Sequence, residues 1–166
     1  LVQLPLPKHS NKQKVISSEI IKEINESRVY DVSTKTPISL LNKMSLQYSN
    51  EIYLKREDLQ PIFSFKCRGA YNKISSLSHE EKAAGIIAAS AGNHAQGVAL
   101  SASKLNIKAT IVMPEQAPLS KVMKTKSLGA EVILKGRTLN ESQTYVSELI
   151  DDKFSIELCG GTHVSH

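Results

Sequence analysis

Lys66 lies in the run Ser64-Phe65-Lys66-Cys67-Arg68-Gly69-Ala70-Tyr71-Asn72, after an apolar approach of Pro61, Ile62 and Phe63. A lysine between Phe65 and Cys67 at the mouth of a helical pattern is a poor solubility device. Partial desolvation there favours the neutral amine, and a neutral amine condenses with a carbonyl to form an imine. A second run, Ser90-Ala91-Gly92-Asn93-His94-Ala95-Gln96-Gly97, follows a short apolar segment and opens another helical pattern. Its backbone N–H groups, with Ser90 and the helix start from Asn93 to Ala95, suit a small carboxylate, and the Asn93 amide can donate to a phenolate-like oxygen. Together the two runs point to imine chemistry on a small anionic substrate.

Taken singly, these residues have plainer readings. Lys66 alone is a solvated lysine at a helix start, and Asn93 alone a helix cap. His94 reads as a hydrogen-bonded structural residue of a first helical turn, and Cys67 as a small buried hydrophobe. Gly69 reads as a point of close backbone approach. His9, His79 and His166 have no partners at metal or triad spacing. The Ser90 run has only Gly92 and Gly97, short of the G-x-G-x-x-G dinucleotide fingerprint, and no G-x-x-x-x-G-K-[ST] phosphate loop occurs.

The elements that must position the two runs follow from periodicity and caps. Ser18 is expected to cap a helix from about Glu19 to Ser27, with Ile20, Ile21 and Ile24 on one face. Glu51 to Arg56 reads as a strand and Arg68 to Leu77 as a helix. Ser78 and Glu81 form a capping box for a short helical turn. From Gly85 the pattern becomes regular: strand Ile86 to Ala89, helix Asn93 to Leu105, strand Ala109 to Met113, loop Pro114 to Pro118. Helix Ser120 to Leu128 then ends at Gly129, suited to a left-handed C-cap. Strand Val132 to Leu134 precedes a helix boxed by Thr138 and Glu141 that runs to about Ile150, and Phe154 to Leu158 reads as a last strand. Short apolar strands alternating with helices predict an α/β fold with a doubly wound, largely parallel sheet. The Ser90 run then falls at the carboxyl end of the first strand of the regular part, where open α/β sheets bind ligands.

The chain has 166 residues, room for one domain with a real core. Hydrophobic residues at 40% and charged ones at 22% are ordinary for a globular protein, while 5% aromatics without Trp leave the core to aliphatic and small side chains. The net charge of +5 is spread from Lys8 to Lys153 with no dense block and no interleaved aromatics, which argues against nucleic acid as a partner. Cys67 and Cys159 form no disulfide framework and fit a reducing, cytoplasmic setting. No apolar run is long enough to span a bilayer, so no membrane partner is expected. Residues 1–17 read as a flexible leader, 18–152 as the structured part and 153–166 as an atypical tail.

Several motifs carry a resemblance: Tyr30-Asp31-Val32, Thr36-Pro37, Y-L-K-R-E-D-L-Q-P from Tyr53 to Pro61, S-F-K-x-R-G-A-Y-N, A-S-A-G-N-H-A-Q-G-V-A from Ala89 to Ala99, and A-T-I-V-M-P from Ala109 to Pro114. From about Val29 to about Asp151 the chain resembles the threonine dehydratase (threonine ammonia-lyase) family of fold-type II, tryptophan synthase β-like pyridoxal-phosphate enzymes. The K-R-E-D-L-Q-P form resembles the biosynthetic, isoleucine-pathway branch. The resemblance implies pyridoxal 5′-phosphate as cofactor, an amino acid as substrate and a homo-oligomer in the full-length protein. It implies that Lys66 forms the Schiff base with the cofactor and then removes the α-proton. Phe65 would pack beside the cofactor ring, and Asn93 would bond its 3′-oxygen. Ser90, Ala91, Gly92, Asn93 and His94 would hold the substrate carboxylate. Threonine would lose its β-hydroxyl and then ammonia to give 2-oxobutanoate, and serine would give pyruvate.

The chain also departs from that family. Cys67 stands where Leu or Ile is usual. The family's glycine-rich phosphate loop, its partner for the pyridine nitrogen and its regulatory domain have no counterpart, so the resemblance implies the N-terminal portion of such an enzyme, inactive by itself. Ser155 to Val164 resembles instead the C-x-x-x-H zinc segment of alanyl-tRNA synthetase. Cys159 and His163 alone do not complete a tetrahedral site, so no metal is expected. Three other readings stay open: a non-catalytic α/β fragment, a related enzyme such as serine dehydratase, serine racemase or threonine synthase, and RNA association through the tail.

Overall fold

Ile86, Ile87, Ala88 and Ala89 are all buried, and so is every residue of Ala109–Met113. Strands without a wet face must be covered on both sides, and the fold follows from that need. The computed structural model describes residues 17–153 and 156–157. In chain order the elements are α1 (Ser18–Glu26), β1 (Ile38–Leu40), α2 (Asn42–Tyr48), β2 (Tyr53–Lys55), α3 (Lys66–Ser75), α4 (His79–Ala84) and β3 (Ile86–Ala89). There follow α5 (Asn93–Lys104), β4 (Ala109–Met113), α6 (Leu119–Ser127), β5 (Glu131–Leu134), α7 (Leu139–Lys153) and β6 (Ile156–Glu157). Short 3-10 turns occupy Val29–Asp31 and Glu57–Leu59.

The main sheet has strand order β5-β4-β3-β6 with every pairing parallel. Alternation along β3 sorts its side chains. Ile86 and Ala88 join Ala70, Ile74, Val98, Ala99, Ile111, Met113 and Val122 beneath α3, α5 and α6. Ile87 and Ala89 join Val112 and Val146 beneath α7 on the opposite face. Helices on both faces make the sheet doubly wound, as expected. The chain builds outward from β3 through β4 to β5 and then returns to place β6 on the other side of β3. The reversal of strand order therefore falls between β3 and β6, beside the loop that starts at Ser90.

Local signals explain several boundaries. The Ser78–Glu81 capping box is complete, with the Glu81 N–H donating to Ser78 Oγ at 3.2 Å and the Ser78 N–H donating to Glu81 Oε2 at 2.6 Å. At α7 only half of the expected box forms. The Glu141 N–H donates to Thr138 Oγ1, but the Glu141 carboxylate accepts from the Arg137 N–H instead. Gly129 follows α6 with φ of +96° and its N–H on the Lys126 carbonyl, the left-handed exit its type allows.

Several boundaries differ from expectation. Ser17, not Ser18, caps α1, because its Oγ accepts the Ile20 N–H. The strand expected over Glu51–Arg56 is the shorter β2, and it pairs antiparallel with β1 outside the main sheet. Neither β1 nor α2 was expected. Helix α3 begins at Lys66 rather than Arg68, which puts the lysine inside the first turn. The expected strand Phe154 to Leu158 is described only at Ile156–Glu157, where it pairs with β3.

Candidate active site

The Ser90 loop begins where β3 ends. The Ser90 N–H still donates to the Val112 carbonyl at 3.0 Å, extending the ladder by one residue, and Ser90 Oγ accepts the Gly92 N–H at 3.2 Å. Gly92 is the N-cap of α5 and supplies no side-chain acceptor to its first turn. Asn93 opens the helix exposed, Ser90 is buried, and Ala91, Gly92 and His94 are half-buried.

Lys66 is the first residue of α3 and is half-buried. Its backbone N–H donates to Ser64 Oγ at 3.3 Å, and its Nζ lies 5.5 Å from the ring centre of Phe65. Phe65 is 59% exposed. The two runs meet through packing of α3 on α5, the broadest contact between helices among the described residues. Gly97 makes this possible: a Cβ there would lie 2.9 Å from the Lys66 carbonyl oxygen and 3.4 Å from the Ala70 Cβ. Gly69, expected to allow close approach, does not; a Cβ on it would meet nothing within 4 Å. The structure thus brings the turn carrying Lys66 onto the helix that the Ser90 loop starts.

A polar network that sequence reading missed holds the approach to Lys66. Arg68 donates from Nε to Glu57 Oε2 at 2.8 Å and from Nη2 to Glu57 Oε1 at 3.1 Å. Its remaining donors reach Ser33 Oγ at 3.2 Å and the Thr34 carbonyl at 3.1 Å, and its guanidinium lies 5.4 Å from the Tyr30 ring centre. Glu57 also accepts from Thr36 Oγ1 at 2.6 Å and from Gln60 Nε2 at 3.2 Å. Gln60, buried at 1% exposure, takes the Thr34 N–H on Oε1 at 2.9 Å. Arg68, with further help from Thr36 and Gln60 and against the effect of burial, draws the Glu57 carboxyl down from an ordinary 4.5 to about 2. The hydroxyl of buried Tyr71 donates to Asp31 Oδ2 at 2.7 Å, and this bond, reinforced by Arg28, holds the Asp31 carboxyl below its usual range. Burial pushes the Cys67 thiol up, consistent with an inert packed group. The available signal was the pair of charged residues inside otherwise apolar motifs, Glu57 and Arg68. Periodicity does not reveal that they touch.

Among the described residues no cluster of His, Cys, Asp and Glu could hold a metal ion, and no helix is long and apolar enough to cross a membrane. Cys159 and His163 lie outside the described residues.

Parallel strands wound on both faces, with a polar loop at the point of strand reversal and the Lys66 turn packed on the helix that follows it, define a doubly wound α/β scaffold with a ligand crevice. Residues 29–163 match the family described as pyridoxal-phosphate dependent enzymes, and the chain belongs to that family. It is 54% identical over 127 residues to the biosynthetic L-threonine dehydratase of Haemophilus influenzae, a match covering 76% of this chain and 25% of that protein. It is 52% identical over 128 residues to the L-threonine ammonia-lyase of Thermotoga maritima, covering 77% of this chain and 32% of that protein. The structure of the processed form of threonine deaminase isoform 2 from Solanum lycopersicum superposes with TM-score 0.76 and 49% identity, covering 79% of this chain and 38% of that one. Serine racemase from Dictyostelium discoideum superposes with TM-score 0.76 and 32% identity, covering 84% of this chain and 46% of that one. The chain therefore spans between a quarter and a third of the length of these two curated relatives.

The residues present fit the aldehyde and ring ends of pyridoxal phosphate by the chemistry of their donors. Lys66 offers the amine, Asn93 an exposed amide, and Phe65 an exposed ring. Gly92 leaves open space at the start of α5, because a Cβ there would meet nothing within 4 Å.

Proposed function

We propose that this chain carries the lysine and carboxylate-binding part of a pyridoxal-phosphate-dependent ammonia-lyase. Its substrate is L-threonine, with L-serine as a second, and its products are 2-oxobutanoate or pyruvate and ammonia in the first step of isoleucine biosynthesis. The observation that carries this reading is the seating of the Lys66 turn on α5 at Gly97, at the start of which lies the Ser90 loop. The similarity to proteins named threonine dehydratase, greater than that to serine racemase, supports threonine over racemisation chemistry.

When bound, the cofactor supplies an electron sink for negative charge at the substrate α-carbon. The amine of Lys66 would hold the cofactor at its aldehyde and, once free of it, would take the substrate α-proton on Nζ. The Asn93 amide would donate to the cofactor's ring oxygen, and Phe65 would flank the ring. Ser90, Ala91, Gly92, Asn93 and His94 hold the substrate carboxylate, where N–H groups and the positive end of α5 favour an anion.

Residues 18–152 form part of the catalytic domain in this reading. A cytoplasmic, homo-oligomeric enzyme fits the buried free Cys67 and the exposed apolar side chains Ile38, Leu46 and Tyr53. The test is to mix the chain with pyridoxal phosphate, reduce with borohydride and map the labelled peptide. Label on Lys66, lost in Lys66→Ala, is the expected result. Label confined to other lysines would refute the assignment.

A further inference from the structure

Helix α3 starts with weak local support. Its N-cap, Phe65, has no side chain that can accept a first-turn N–H, and Ser64 contributes a single 3.3 Å bond to the Lys66 N–H. A first turn without a good cap frays, and here that turn bears the amine. Beside a weak bond from the Cys67 thiol to the Ser64 carbonyl, the main side-chain support comes from one residue two positions beyond Lys66. Arg68 makes four hydrogen bonds, two to Glu57 and one each to Ser33 and the Thr34 carbonyl, and lies against Tyr30. Glu57 is in turn fixed by Thr36 and Gln60. The 33–36 and 57–60 segments are thereby tied to the turn from one side, while Gly97 limits it from the other.

We infer that Arg68, clamped by Glu57, is a positioning residue that keeps the first turn of α3 wound so that Lys66 presents its amine in one direction. This deepens the reading above and rests on it for the role of Lys66. The fork matters as well as the charge, because two parallel N–H donors to one carboxylate fix an orientation that a lysine's point charge does not.

The test uses the full chain, with Arg68→Lys, which keeps charge and bulk, and Glu57→Gln, which keeps shape. Hydrogen exchange followed by mass spectrometry reads the amides of 66–70 against those of β3 and β4. Pyridoxal phosphate with borohydride reads the share of label on Lys66 against all other lysines. Both variants are expected to raise exchange at 66–70 by about tenfold, the factor expected from losing one charge-assisted hydrogen bond, with β3 and β4 unchanged. The Lys66 share of label should fall by a similar factor while labelling of exposed lysines stays constant. Exchange that rises equally throughout would overturn the inference, since Arg68 would then only stabilise the fold. Unchanged exchange at 66–70 would overturn it too. Label absent from Lys66 in the unaltered chain would sink the proposed function instead, and the exchange result would still decide whether the clamp holds the turn.

Discussion

Glu57 and Arg68 keep side-chain exposures of 18% and 23%, partly screened from water but not sealed from it. A pair so placed lies between exposed bridges, which contribute little, and buried ones, whose breaking is costly. Glu57→Gln should therefore cost about 2 kcal/mol at neutral pH, read from urea unfolding. The sign of the pH dependence follows from the folded carboxyl being depressed to about 2 from 4.5. Its stabilisation is fully present above the unfolded value and drains away as pH falls through that interval. Asp31, lowered chiefly by its bond to Tyr71, acts in the same direction. Unfolding free energy measured from pH 6 down to pH 3 should fall less steeply in Glu57→Gln than in the unaltered chain; parallel curves would disprove the assignment. The glycines make an opposed pair. Gly97→Ala forces a methyl to 2.9 Å from the Lys66 carbonyl and should destabilise by about 1–3 kcal/mol. Gly69→Ala, inside α3 with open space around it, should stabilise by about 0.5–1 kcal/mol. Urea midpoints moving in opposite directions would bear this out.

At the level of elements, whatever carried its own local signal was readable. The Ser78–Glu81 box appears as expected, and Ser78→Ala should cost about 1 kcal/mol in the same urea titration. Strands β3 and β4 were legible because buried strands are runs of Ile, Val, Ala and Met bounded by loops. Elements lacking such signals were missed. Helix α2 has no side-chain cap and no buried residue, and β1 is three residues long with Ile38 and Leu40 exposed. The strand over Glu51–Arg56 is legible, in the shorter form Tyr53–Lys55, but its pairing with β1 is not, because strand pairing is a tertiary choice. Ser17 and Ser18 compete for the same cap, and only geometry decides between them.

For the molecule as a whole, the doubly wound sheet and the location of both chemical runs were legible, since helix–strand alternation sets the first and motif spacing the second. The clamp was not. Glu57 and Arg68 meet only after Ser33, Thr34, Thr36 and Gln60 have folded around them, and no periodicity encodes that assembly. The sheet makes a global prediction of its own. Ile87 is fully buried beneath α7, so Ile87→Ala should cost about 2–5 kcal/mol, with one cooperative transition losing both helix and sheet signals by circular dichroism.

The contact at Gly97 has a mechanical consequence. Two helices touching main chain to main chain have no rotamers at the junction to absorb a push, so α5 works as a stiff lever against the Lys66 peptide. Any shift of α5 toward α3 is therefore borne by the Lys66 backbone itself rather than taken up by a yielding side chain.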